Sequence, residues 1–265
     1  MLAHPARATA AWLAIPQRAS RVWWREYRVW RHMFISSTLL NFGQPVMWLT
    51  TFGVALGAYV SLGRPGSYLA FVAPGLLATT AMNAVTFDAL FGTYLKLHEW
   101  GTYEAVVSTP VGPGDIVRGI FGWQATRALL FGGIFCAVMA AFGLLHHWTA
   151  LWLIPVLLGT GPLFAAPAMA WAAVFRRFHR LFYYTELVIG PMFFFSGAFF
   201  PTDRLPAAVR LLVGLMPLSH VVTLCRALVA GRPDPTWMLD IGYPAALTAV
   251  LSVVAVRLMT ARLTR

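Results

Sequence analysis

An all-α membrane protein is the fold class this sequence predicts, on three observations. The 265 residues are 59% hydrophobic and 11% charged, with a mean hydropathy of +0.68. That composition excludes a single soluble domain. Uncharged apolar runs long enough to cross a bilayer recur along the chain. The breaks between them carry the arginines together with Gly and Pro. A net charge of +11 would suggest nucleic acid in a soluble protein. With the cations confined to the breaks and the ends, an anionic lipid surface is the better partner, and no nucleic acid is expected.

Taken in order, residues 18–34 predict an amphipathic helix lying in the membrane interface. Arg18, Arg21, Arg25, Arg28 and His32 recur at helical spacing, and Trp23, Tyr27, Trp30 and Phe34 fall on roughly the opposite face. The short apolar piece Ala8–Ile15, followed by Pro16 and a run of basic residues, does not read as a cleavable signal peptide. From Met33 to Gly63 there is no charge, which gives a first span. The second runs from about Tyr68 to Tyr94, with Asp88 its only charge. The third covers roughly Gly119 to Leu145 and carries Arg127; the fourth follows a turn at His146-His147-Trp148 and ends in the basic loop Arg176–Arg180. A fifth, dense in Phe, runs from about Phe182 to Pro201. Only fifteen uncharged residues separate Arg210 from Arg226, with Gly214 and Pro217 among them, so 205–228 reads as a re-entrant or interfacial segment. The last span is roughly Trp237 to Met259. The organisation is thus an N-terminal region 1–34, a six-span unit 35–260 and a tail 261–265.

The stretch from Thr93 to Arg118 interrupts this apolar pattern. It holds Glu99, Glu104 and Asp115, three of only nine acids, and Lys96, the only lysine. Gly101-Thr102 offers a helix start and Pro110 with Gly112-Pro113-Gly114 a stop. The expectation is a polar helix of two or three turns held between two spans.

Six spans put both termini on one side. With the N-terminus inside, fourteen Lys and Arg fall on the inner side and five on the outer. By the positive-inside rule the termini and the 93–118 stretch are cytoplasmic, and Cys225 is on the outer side. Asp88 lies eight residues before Lys96 and Arg127 nine after Arg118, so both sit about 12–13 Å above the inner polar stretch. Consecutive antiparallel spans make Asp88 and Arg127 a candidate intramembrane ion pair.

Several chemistries are missing from the sequence. No G-x-x-x-x-G-K-[ST] surrounds Lys96, so ATP is not bound in that way. His98-Glu99 opens like H-E-x-x-H, but Thr102 stands where the second His belongs. No G-x-S-x-G occurs. Cys136 and Cys225 are the only thiols and suggest neither a disulfide framework nor a metal site. No catalytic or metal-ligating residues are assigned.

The stretches SYLAFVAPGLLATTAMNAVTFDA (67–89), GTYEAVVSTPVGPGDIVRG (101–119), FFFSGAFFPTDRLP (193–206) and LMPLSHVVTLCRALVAGRP (215–233), in this order of elements, resemble the ABC-2 family of exporter permeases. Within it the likeness is to the nodulation protein J branch. Asp88 stands where a Glu is commoner in that family. The resemblance implies a bacterial inner-membrane permease that dimerises and works with two copies of a separate P-loop ATPase, which carries the ATP and Mg. It implies that Glu99, Gly101, Thr102, Tyr103, Glu104, Ser108, Thr109 and Pro110 form a coupling helix that docks on the ATPase. It also implies an amphiphilic, acylated oligosaccharide or related lipid-linked glycan as the exported substrate. Phe193, Phe194, Phe195 and Phe199 would suit a path for acyl chains and sugar faces, or else simply face lipid. Alternative readings are a permease for a drug or another lipid-like substrate, and an integral membrane lipid or sugar transferase. The shortage of polar groups within the spans argues against the transferase.

Overall fold

The computed structural model describes residues 16–32, 43, 45–52, 67–201, 206–232 and 236–264. Those residues form helices and short connections, with no strand among them. Helix α1 (Pro16–His32) is the expected amphipathic segment. Helix α2 (Ser67–Phe87) does not stop at Tyr94 as the sequence suggested. It continues through two wide π turns, Asp88–Gly92 and Leu95–Glu99, giving 32 helical residues from Tyr68 to Glu99. Helix α3 (Thr102–Val107) comes directly after. Helix α4 (Pro113–Ala141) begins six residues before the expected third span. A 3-10 turn, Trp148–Trp152, leads into α5 (Leu153–Val174).

Residues Arg180–Tyr184 (α6), the π turn Thr185–Ile189 and Gly190–Phe195 (α7) run on from the basic loop. Helices α8 (Ala207–Gly214) and α9 (Pro217–Ala230) precede α10 (Trp237–Leu263).

Among the described residues, four helices are long and apolar enough to cross a bilayer: α2 with its extension, α4, α5 preceded by its 3-10 turn, and α10. The α8–α9 pair would be a fifth if taken as one span, but it is bent by 84°. Pro217 explains the bend, since it has no amide hydrogen to continue α8. The corner sits where irregular backbone must find partners within the protein. Ser219 Oγ donates to Val213 O and Met216 O, His220 Nε2 lies 2.9 Å from Gly214 O, and Tyr243 Oη donates to Leu215 O. A sharp bend of this kind fits a segment that is not one straight span, as the short uncharged run between Arg210 and Arg226 suggested.

The expected first span, 33–63, lies mostly outside the described residues; of it, 45–52 is helical. The expected fifth span is helical only from Arg180 to Phe195 and is broken by a π turn. Those sixteen residues are fewer than the roughly 20 that a straight span needs.

Close backbone approach sets how the long helices pack. A Cβ placed on Gly161 of α5 would lie 2.4 Å from Ala125 N and Cα on α4. One on Gly75 of α2 would lie 2.6 Å from Ala198 Cα. Without a hydrophobic driving force inside lipid, such small-residue contacts are what bring helices together. Gly119 plays the same part for α1, whose Val22 Cβ and Ala19 O would be 2.5 and 2.6 Å from an added Cβ. The aromatic face of α1 is therefore turned partly onto α4 instead of wholly to lipid. Trp23 Nε1 donates to Thr126 Oγ1 at 2.9 Å, and the Trp30 and Trp123 rings meet edge to face at 5.9 Å.

Candidate functional site at the end of the second helix

The polar segment gathers at the end of α2, where one short element is tied to four others. The π turns that lengthen α2 come first. Each inserts an extra residue into the helical repeat and rotates the turns beyond it, a device common at functional positions. Through them Asp88, Gly92 and Lys96 stay near one another, with an added Gly92 Cβ 3.8 Å from both Asp88 Oδ1 and Lys96 Nζ. Lys96 Nζ donates to Glu26 Oε2 of α1 at 2.5 Å, and Arg25 Nη1 lies 3.0 Å from the other Glu26 oxygen. Glu26 is only 5% exposed, so its charge requires these partners.

Two residues on, His98 Nε2 lies 3.0 Å from Ala172 O at the end of α5, and Arg262 Nη2 lies 3.4 Å from His98 Nδ1. The two contacts are consistent when Nε2 carries the proton and Nδ1 accepts from Arg262. Tyr94 Oη donates to Arg176 O in the basic loop at 2.8 Å. The segment is thus linked to α1, to the ends of α5 and α10, and to the loop after α5.

Helix α3 is shorter than the two or three turns expected. It has six residues, and Gly101, in the left-handed region at φ 59°, occupies its N-terminal boundary. A Cβ there is strained, so glycine suits the sharp change of direction after Trp100. Thr102 is the first helical residue and not the cap; no side-chain oxygen caps this end. At the other end, Ser108 Oγ donates to Ala105 O at 2.7 Å and Thr109 Oγ1 to Val106 O at 2.6 Å. The Ser108 hydroxyl thus serves a carbonyl of the last turn, while Val106 O also accepts from the Thr109 amide at 3.1 Å. Pro110 comes next, on the surface. Gly112-Pro113-Gly114 does not end α3 but starts α4. Pro113 takes the first helical position and Asp115 Oδ2 accepts from the Gly112 amide at 3.2 Å.

Tyr103 anchors α3 with its ring fully buried. Burial, with the Glu26 carboxylate as a smaller cause, pushes its phenol well above the ordinary tyrosine range, so it stays neutral. The outward surface here carries two acids: Glu99 at the end of the second π turn and Glu104 of α3 are exposed, and Trp100 between them is 63% exposed. Glu104 sits in the first turn, where the helix dipole favours an anion. Sequence reasoning does not single out Trp100. Its only signal there is an indole set between polar residues, outside any apolar run.

Asp88 and Arg127 are brought together, though through a third residue. Arg127 Nη1 lies 3.6 Å from Asp88 Oδ1, while Gln124 Nε2 donates to Asp88 Oδ2 at 2.6 Å. Arg127 also donates to Ala84 O and lies over the Phe131 ring at 5.1 Å. Gln124 carries no signal in the sequence because it is neutral. Its side chain is buried one turn before Arg127 on α4.

The Phe-rich segment lies at the far end of α2, where Tyr68 Oη donates to Phe199 O at 3.3 Å. Phe193 and Phe199 pack together at 5.1 Å and against Trp48 and Phe52 of the 45–52 helix. Phe194 and Phe195 are exposed. Arg226 of α9 closes this end: it lies 3.9 Å over the Phe71 ring and donates to Gly197 O at 2.9 Å. Nearby, His220 Nδ1 of α9 lies 2.7 Å from Asp240 Oδ1 of α10.

Comparison with known proteins agrees with this arrangement. Residues 18–229 match the ABC-2 type transporter family. The chain is 36% identical over 244 residues to nodulation protein J of Rhizobium leguminosarum bv. viciae, covering 92% of this chain and 94% of the relative. It is 35% identical over 244 residues to nodulation protein J of Rhizobium meliloti, covering 92% of each. It is 21% identical over 217 residues to the inner membrane transport permease YadH of Escherichia coli, covering 80% of this chain and 81% of that one. With helices that can cross a bilayer, a sharply bent helix pair and a polar element at the end of the second helix, this chain belongs to the ABC-2 type transporter family and is a multi-pass transport permease subunit.

Proposed function

We propose that this permease exports an amphiphilic lipo-oligosaccharide or related lipid-linked glycan across the bacterial inner membrane. It does so as a homodimer, with two copies of a cytoplasmic P-loop ATPase docked on the Glu99–Pro110 element. One observation carries the reading. The exposed acidic surface of α3 stands at one end of the 32-residue helix Tyr68–Glu99, about 48 Å long, and the aromatic cluster stands at the other. A partner that moves α3 would act on α1, α5 and α10 through Lys96 and His98. It would also tilt α2 against the Phe193–Phe199 segment, where the exposed Phe194 and Phe195 rings would meet the cargo. Hydrolysis belongs to the partner, and this chain supplies the path. The likeness to nodulation protein J favours an acylated oligosaccharide over a drug.

Co-purification tests the partnership. The wild-type chain should carry a P-loop ATPase through affinity purification in mild detergent, and should hydrolyse no ATP by itself. Trp100→Ala with Glu104→Lys removes an exposed indole and reverses a charge on a surface helix, so membrane insertion should be unchanged. Recovery of the ATPase should fall by about tenfold, equivalent to ~1.4 kcal/mol of binding. Wild-type recovery in the double variant would remove α3 from the docking surface.

Labelling in intact cells tests the orientation. Cys225 is fully buried and cannot report. Trp148→Cys, at a position 74% exposed, serves for the outer side and Arg177→Cys for the inner. An impermeant maleimide should label the first and spare the second. The reverse pattern would place the termini outside.

A further inference from the structure

Between α5, α9 and α10, at the far end from α3, lies a cavity of about 1000 Å3. It is at the top of the range of about 300–1000 Å3 usual for ligand pockets. It is separate from the Phe193–Phe199 cluster and from the docking element. Small residues open it: Gly159 and Pro155 on α5, Ala227 on α9, Ala245 on α10. A Cβ added at Gly159 would meet nothing within 4 Å. Trp148, Trp152 and Trp237 gather at one end of it, all exposed.

The hydroxyls in the wall are already engaged. Thr149 donates to Leu228 O, Thr160 to Val156 O and Thr248 to Pro244 O. The Asp240 carboxylate is held by His220 and Thr236. Away from the three indoles at its tryptophan end, a polar ligand would therefore find no free hydroxyl in the wall and would lose its water uncompensated. Hydrocarbon suffers no such loss. Two walls are bilayer-crossing helices, and the lining itself is exposed at Trp152 and Ile241, within a few residues along the chain of the exposed Leu151, Ile154, Met238 and Leu239. The cavity is thus continuous with a lipid-facing surface, and its tryptophans mark the headgroup level.

We infer that this cavity is an intramembrane site for the acyl chain of a bilayer phospholipid, inserted from the side with its headgroup beside Trp148, Trp152 and Trp237. The chain enters between α5 and α10 on the tryptophan side of the point where Ala166 and Ala170 of α5 pack against Ala255 of α10. The inference does not depend on which substrate the permease exports.

The test uses the full chain in nanodiscs of phosphatidylethanolamine and phosphatidylglycerol. A trace phospholipid carries a diazirine on one acyl chain, and adducts are mapped by mass spectrometry. Adducts should concentrate on 148–163 and 237–248. Gly159→Trp fills the cavity and should reduce them by about tenfold, corresponding to ~1.4 kcal/mol of lost chain binding. Labelling of the exposed Val250–Val254 face of α10 should be unchanged. Ala245→Trp, which fills the cavity from the opposite wall, should give the same loss and covers the case in which the first variant fails to fold. Undiminished adducts in a folded filled variant would overturn the assignment. Displacement of the adducts by an added acylated oligosaccharide would replace the phospholipid with the cargo's own tail. Chain-to-chain crosslinks through these residues would replace it with a second copy.

Discussion

Gly161→Ala should cost this protein most of its folded yield, while Gly159→Ala, two residues away on the same helix, should cost nothing. The added methyl at 161 would sit 2.4 Å from the backbone of Ala125. Backbone cannot rotate aside as a side chain can, so α5 and α4 must separate. Overpacking typically costs about 1–3 kcal/mol, and a clash with main chain lies at the upper end. The separation would also disturb Gln124, whose carbonyl carbon lies 2.7 Å from the added atom and whose side chain holds Asp88. At Gly159 the same methyl enters open space and improves helix propensity by up to about 1 kcal/mol. The check is the monodisperse fraction on size exclusion together with thermal unfolding in one detergent. Equal behaviour of the two variants would mean that α4 and α5 do not meet at Gly161.

Reversing either charge of the Asp88–Arg127 pair is the second large effect expected. Asp88→Arg would set two guanidinium groups against each other, with Gln124 offering its amide donor to a cation. Arg127→Asp would set two carboxylates together. Breaking a buried pair from one side typically costs about 3–5 kcal/mol. Here the lower figure applies, because the Asp88 side chain keeps 28% of its exposure. The double swap should recover part of the folded yield but not all of it. Gln124 donates to Asp88 and cannot serve an arginine equally well unless its amide turns over. Addition of Gln124→Glu to the double swap should raise recovery further, since a carboxylate at 124 suits an arginine at 88. A double swap no better than the worse single variant would show that the two charges act independently.

The aromatic and basic stripes of α1, the apolar runs and the Pro-Gly breaks are all legible in the sequence. Each is a local pattern whose period or length states its environment. The candidate pair of Asp88 and Arg127 is legible too, because a charge inside an apolar run has few places to go. The neutral Gln124 between them is not, since nothing about a glutamine marks it as buried. Glu26 is hidden for a related reason. One acid among five cations in its helix reads as surface charge, whereas it is enclosed between Lys96 and Arg25.

By itself, then, the sequence determined an α-helical membrane protein, its polar interruption at 93–118 and the break within 205–228 that keeps it from being one straight span. Hydrophobic length and helix-breaking residues act within a few turns and need no partner to be read. Only the tertiary structure decided that α2 runs on through π turns to Glu99, that Gly112–Gly114 opens α4 instead of closing α3, and that Trp100 faces outward. It alone separated Gly161, pressed on a neighbouring backbone, from Gly159, which opens a cavity two residues away. A glycine carries no side chain to announce its surroundings. What lies opposite it is fixed by how two distant helices cross, a property of the pair and of neither sequence segment alone.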